Sequence, residues 1–189
     1  MRKYSSRILS LVLFLGIAVA CSKSDPAPLG AQVKAKLLAG EANKSKVWKL
    51  RELSYKTGSG ATQTQTLVGC FSDNTYTFTN NAAQSYAANE GASKCGTTSP
   101  DLIEQGTWAF TLDGLSLIVG VDQTFSSNGL FSPEAILTQD SSTPPNYYAF
   151  TIGYPYPAFV QTLTDSSMIL VMTNIVGSTT YTYTLTFTP

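Results

Sequence analysis

The closing stretch of the chain constrains its fold more than any other. From Thr180 the residues run Thr-Tyr-Thr-Tyr-Thr-Leu-Thr-Phe, so Tyr181, Tyr183, Leu185 and Phe187 share one side and Thr180, Thr182, Thr184 and Thr186 the other. Strict period two is the mark of a β-strand with two unlike faces. The same period recurs upstream: Trp48 and Leu50 alternate with Val47, Lys49 and Arg51, and Tyr76 and Phe78 alternate with Thr75, Thr77 and Thr79. Residues 107–112 and 115–119 flank Asp113-Gly114, a strong hairpin signal.

Segments 47–55, 66–71, 75–79, 85–88, 106–112, 115–121, 159–164, 168–173 and 180–188 give eight or nine strands with mostly short connections. A single layer of that length leaves one face and two edges unprotected, so the sheet must close on itself. Consecutive hairpins favour an all-β, antiparallel up-and-down barrel. Residues 29–42 are Ala- and Leu-rich and predict one short helix ending near Gly40, placed to close one end of the barrel.

The N-terminus reads as an export signal. Arg2, Lys3 and Arg7 precede thirteen uncharged, mostly apolar residues, Ile8 to Ala20. That run is shorter than the roughly 20 residues a membrane-crossing helix needs, and it ends in small residues. Ala18-Val19-Ala20-Cys21 resembles the lipobox of bacterial lipoproteins, although Ala18 stands where Leu is commonest. The resemblance implies cleavage after residue 20, lipidation of Cys21 and a membrane partner through that lipid. Residues 21–28 then form a polar, Pro-containing tether, and residues 29–189 the folded domain.

Three of the twelve basic residues lie in the signal, leaving nine against twelve acids. The nine are unevenly placed, for Lys94 is the last and the chain beyond it carries seven acids. Phosphate binding needs clustered positive charge, so a nucleic-acid partner is not expected. The basic residues from Lys34 to Lys56 lie near the anchored end, where they serve solubility or face anionic head groups. No histidine is present, which removes the commonest general base and metal ligand. With Cys21 lipidated, Cys70 and Cys95 remain, and an oxidising compartment permits them to pair.

The domain resembles the lipocalin-like domains of exported Bacteroidota lipoproteins. The matching residues are Leu37 to Gly40 followed by Lys46 to Leu50, then Cys70 to Phe78, Gly106-Thr107-Trp108, Asp113 to Leu117, Leu163 to Asp165 and Met168 to Leu170. The resemblance implies a barrel with an N-terminal helix and a cysteine pair, and says little about ligand. The chain departs from the pattern by a long segment, about 122–158, before its last three strands.

That segment carries Phe125, Phe131, Tyr147, Tyr148, Phe150, Tyr154 and Tyr156 among five prolines. Long aromatic connections often bind partners, which makes Tyr148, Tyr154 and Tyr156 candidate site residues; alternatively the rings pack on the sheet as extra strands. Trp48, Tyr76, Phe78, Trp108 and Phe110 occupy the inward face if the threonine face is solvated, there to fill the lumen or to line a pocket for one apolar ligand. With threonines inward, the lumen suits a glycan. Asp101 with Glu104 is read as part of a loop, and Asp73 with Asn74 as a hairpin turn bonding its own backbone. No nucleophile elbow, phosphate loop or calcium loop appears, and no cofactor is expected. The expectation is a lipid-anchored, outer-membrane, non-enzymatic binder of a small apolar or glycan-like ligand, or else a filled barrel that docks another envelope protein.

Overall fold

In the computed structural model, the described residues are 29–65, 67, 69–94, 101–122, 130, 131, 134–139, 147–151, 156–176 and 178–189. Helix α1 (Gly30–Ala39) is followed by β1 (Ser45–Thr57), β2 (Gln63–Gln65), a 3-10 turn (Gly69–Phe71), β3 (Thr75–Thr79), β4 (Ser85–Asn89), β5 (Leu102–Phe110) and β6 (Ser116–Val121). Then come β7 (Glu134–Gln139), β8 (Tyr147–Thr151), β9 (Tyr156–Leu163), β10 (Met168–Val176) and β11 (Thr179–Thr188).

Eight strands form a closed antiparallel barrel in the order β1-β3-β4-β5-β6-β9-β10-β11, with β11 returning to β1 from Lys49–Thr188 to Thr57–Tyr181. Closure leaves the barrel without the edges an open sheet would expose. The extra strand β2 pairs with Leu53 to Tyr55 of β1, beyond the reach of β3 on that side. Strands β7 and β8 form a separate two-stranded sheet within the long segment between β6 and β9.

The expected helix ends where Gly40 takes φ 88°, a left-handed conformation glycine adopts without steric cost. One expected strand is corrected. Gly69–Phe71 of the 66–71 segment is a 3-10 turn, in which the Ser72 hydroxyl and amide both donate to the Gly69 carbonyl. This local bonding uses groups that a ladder would need. Strand β5 also begins earlier than its apolar pattern suggests, so Glu104 lies in a strand and is completely buried, not in a loop.

The inward face is the aromatic and aliphatic one. Trp48, Leu50, Tyr76, Phe78, Tyr86, Trp108, Leu117, Leu170, Leu185 and Phe187 are buried, while Thr75, Thr77 and Thr79 on the opposite face are half-exposed. Three bulges interrupt this alternation, at Leu50/Glu52 in β1, opposite Ala88/Asn89 in β5, and between Val160 and Thr162 in β9. At the second, Ala88 faces Glu104 and Asn89 faces Leu102, so Ile103 is the extra residue and both Ile103 and Glu104 are buried.

Candidate functional site

The barrel has two ends of different chemistry. At one end, α1 lies across the opening and is stitched down by side chains from the strands. The Trp48 indole N–H donates to the Leu38 carbonyl at 2.8 Å, and Lys46 Nζ donates to the Leu37 and Asp165 carbonyls at 3.1 and 2.8 Å. The same ammonium sits 4.4 Å from the Trp48 ring centroid. The Trp108 indole N–H donates to the Thr79 carbonyl at 3.1 Å. Both indoles are therefore fixed in orientation as well as buried.

From Trp108 a chain of rings runs through the barrel. Phe110 lies 5.9 Å from Trp108, Trp108 6.3 Å from Phe78, Phe78 5.0 Å from Tyr86, and Tyr86 5.5 Å from Phe131; elsewhere in the core Tyr76 meets Phe187 edge-on at 5.8 Å. These spacings are those of rings in mutual contact. Of the five interior rings read from the sequence, Trp48, Tyr76, Phe78 and Trp108 are brought together as packed core. Phe110 is half-buried and lines a groove of about 830 Å³ between α1 and the outer barrel wall.

At the far end the interior turns polar. Glu104 Oε2 accepts from the Tyr86 hydroxyl at 2.6 Å and Glu104 Oε1 from the Phe131 amide at 2.9 Å. Leu130 and Phe131 come from the long segment and are buried with the barrel core, so Glu104 ties that segment to the barrel. Burial, with the Glu104 charge adding to it, drives the Tyr86 and Tyr76 phenols well above their ordinary range, and Glu104 also holds the Tyr86 proton by its hydrogen bond. Asn74, almost fully buried, accepts from the Gly91 amide at 3.1 Å, and Asp73 from the Ser93 amide at 3.0 Å. This corrects the local-turn expectation, since both side chains reach across to the connection after β4. On that connection Lys94 contacts Asp101 at 2.5 Å and Glu90 at 3.7 Å, and Lys94 holds the exposed Asp101 carboxyl below its usual range.

Three further tyrosines lie toward this end on β1 and β11. Tyr181 and Tyr183 stack at 6.5 Å and 9°, and Tyr55, bonded to Gln63, lies 6.4 Å from Tyr183. Burial, then the neighbouring Tyr181 and Tyr55, push the Tyr183 phenol up to about 12. Tyr181 and Tyr183 were visible in the sequence as strand alternation. Their stacking, and their pairing with Tyr55, depend on the β1–β11 closure.

The remaining expected residues are placed unevenly. Tyr148 and Tyr156 contribute backbone to β8 and β9, with side chains outside the described residues; Tyr154, Cys95 and Cys21 lie outside them entirely. Cys70 is half-buried in the 3-10 turn near the far end and has a partner. Among the described residues no group of three or more His, Cys, Asp or Glu side chains is arranged to hold a metal ion. Comparison with protein-family models, curated proteins and solved structures gives no match.

Proposed function

We propose that this chain is a lipid-anchored lipoprotein of the bacterial outer membrane, with a lipocalin-like barrel that serves as a filled, non-enzymatic scaffold for docking another envelope protein. Residues 1–20 are its signal, Cys21 carries the lipid, and 21–28 are the tether. The observation that carries the docking reading is the interior: rings in mutual contact, with both indoles fixed by hydrogen bonds, occupy the space a lumen ligand would need. Recognition then falls to the far end, where the 122–158 segment is tied to Glu104 and the half-buried Tyr55 and Tyr181 offer contact area. Cys70 and Cys95 form a disulfide bracing that same end, a reading supported by Cys70 having a partner and by the export signal.

A second reading has one observation in its favour. The half-buried Tyr181 and Tyr55, packed beside the buried Tyr183 at the far-end rim of the core, offer ring faces on which a small apolar or glycan-like ligand can stack. The two readings separate in cells that incorporate a photo-crosslinking residue at position 181. Protein docking predicts a discrete protein adduct that disappears when 134–151, which carries β7 and β8 and no barrel strand, is deleted from a barrel that still folds. Native mass spectrometry showing a stoichiometric small molecule on the purified protein, with no protein adduct, would favour the second.

A further inference from the structure

Apolar side chains left in water are gathered at one corner of the helix end. Of the seven large hydrophobic residues that are exposed among the described ones, five are Leu29, Val33, Leu112, Leu115 and Phe159. Backbone contacts bring their segments together. The Ala31 amide donates to the Leu112 carbonyl at 3.3 Å, and the Val160 amide to the Leu115 carbonyl at 2.8 Å. Gly114, at φ 73°, lies so close to Gly30 that a Cβ there would fall 2.8 Å from the Gly30 backbone, so the hairpin tip and the helix start pack directly against each other. Leu112 is the most exposed of the five, at 78%. An apolar collar of this kind on an isolated domain marks a surface that meets something else.

The chain itself indicates what it meets. Leu29 belongs to the collar and is joined to Cys21 by residues 22–28 alone. At about 3.5 Å per residue, a fully extended tether keeps Leu29 within about 30 Å of the lipidated cysteine. The far end, where Ile175 is exposed, is opposite the point of attachment. We propose that the collar is a bilayer-contact surface: Leu29, Val33, Leu112, Leu115 and Phe159 rest in the head-group boundary and fix the barrel upright with its helix end on the membrane. This rests on the lipoprotein reading. Lys34, whose stem lies against Gly114, adds a cation beside the collar, and the Asp113 carboxylate at the hairpin tip, bonded to the Thr111 hydroxyl and the Leu115 amide, keeps insertion shallow.

The test uses the full-length protein, expressed and purified with its lipid and reconstituted into phosphatidylcholine vesicles with or without brominated acyl chains. Leu115→Trp and Ile175→Trp serve as reporters, each read as the increment over the parent protein. The proposal expects bromolipid to remove most of the added emission of Leu115→Trp and none of that of Ile175→Trp. Equal quenching at both sites, or none at Leu115→Trp while mass spectrometry shows acyl chains on Cys21, overturns the bilayer contact and leaves the anchor standing. A dimer in detergent that protects Leu115→Trp from an aqueous quencher, again without bromolipid quenching, overturns it in favour of self-association. Absence of acyl chains on Cys21 overturns the anchor and the contact together.

Discussion

The two ends of the barrel bury comparable rings by opposite means. At the helix end, Trp48 and Trp108 are satisfied by main-chain carbonyls that the fold presents anyway, Leu38 at the end of α1 and Thr79 at the end of β3. The charges that take part in that closure, Lys46 and Asp165, pair with each other at 3.8 Å. At the far end, Tyr86 and the Phe131 amide depend on one carboxylate, Glu104, which is completely buried. A neutral side chain bonded to backbone carbonyl costs little to bury, whereas an anion needs every partner it has. The helix end is therefore built for permanence, and the far end holds together through a small polar network whose loss frees a surface segment.

This contrast fixes the order of expected effects. The largest should come from the helix end: Trp48→Ala or Trp108→Ala should cost about 3–5 kcal/mol in urea unfolding, by cavity formation and lost contacts. A loss below that of any far-end substitution would break the comparison. Next, Cys95→Ser should cost about 3 kcal/mol if Cys70 and Cys95 are paired, and nothing further on adding reductant. Glu104→Ala should then cost about 1–3 kcal/mol, because it leaves the Tyr86 hydroxyl and the Phe131 amide buried without an acceptor. Its sharper signature is faster exchange at the Phe131 amide with no change at the helix-end amides; Glu104→Gln, which keeps one carbonyl acceptor, should give an intermediate rate.

How much of this was legible in the sequence follows from where period two survives. In β3, β4, β6 and β11 the alternation is unbroken, and there the inward residues are those the pattern indicates. Asp113-Gly114 and Gly40 marked the hairpin and the helix end because each supplies a backbone conformation with a positive φ. Glu104 was not legible. Counting by twos from Trp108 places it inward, but the polar Glu104-Gln105-Gly106 run hides the early start of β5, so the strand was expected only from 106 and the carboxylate was read as part of a loop. Leu130 and Phe131 lie in a segment without periodicity, and nothing local marks them as the residues that join the core. Barrel closure between β1 and β11 is a pairing across most of the chain, so the stacking of Tyr181 and Tyr183 beside Tyr55 was beyond any local pattern.

The smallest of the predicted effects concerns alkaline pH. The Tyr183 phenol ionises at about 12 in the fold against an ordinary 10.0, and burial raises Tyr76 and Tyr86 further. A raised phenol favours the folded state fully below pH 10 and loses that contribution as pH climbs through the folded value. Tyrosinate absorbance should therefore rise in two phases, with the three buried tyrosines ionising only above the range of the exposed ones. A single phase near pH 10 would show the far end to be open to solvent.

The central claim, that the barrel is a filled scaffold and not a container, is tested most directly by the chain's only two tryptophans, both of which lie inside it. Acrylamide quenching of the native protein should leave their emission nearly untouched until denaturant unfolds the barrel. Efficient quenching under native conditions would mean that small molecules reach Trp48 or Trp108, and that the interior is a cavity after all.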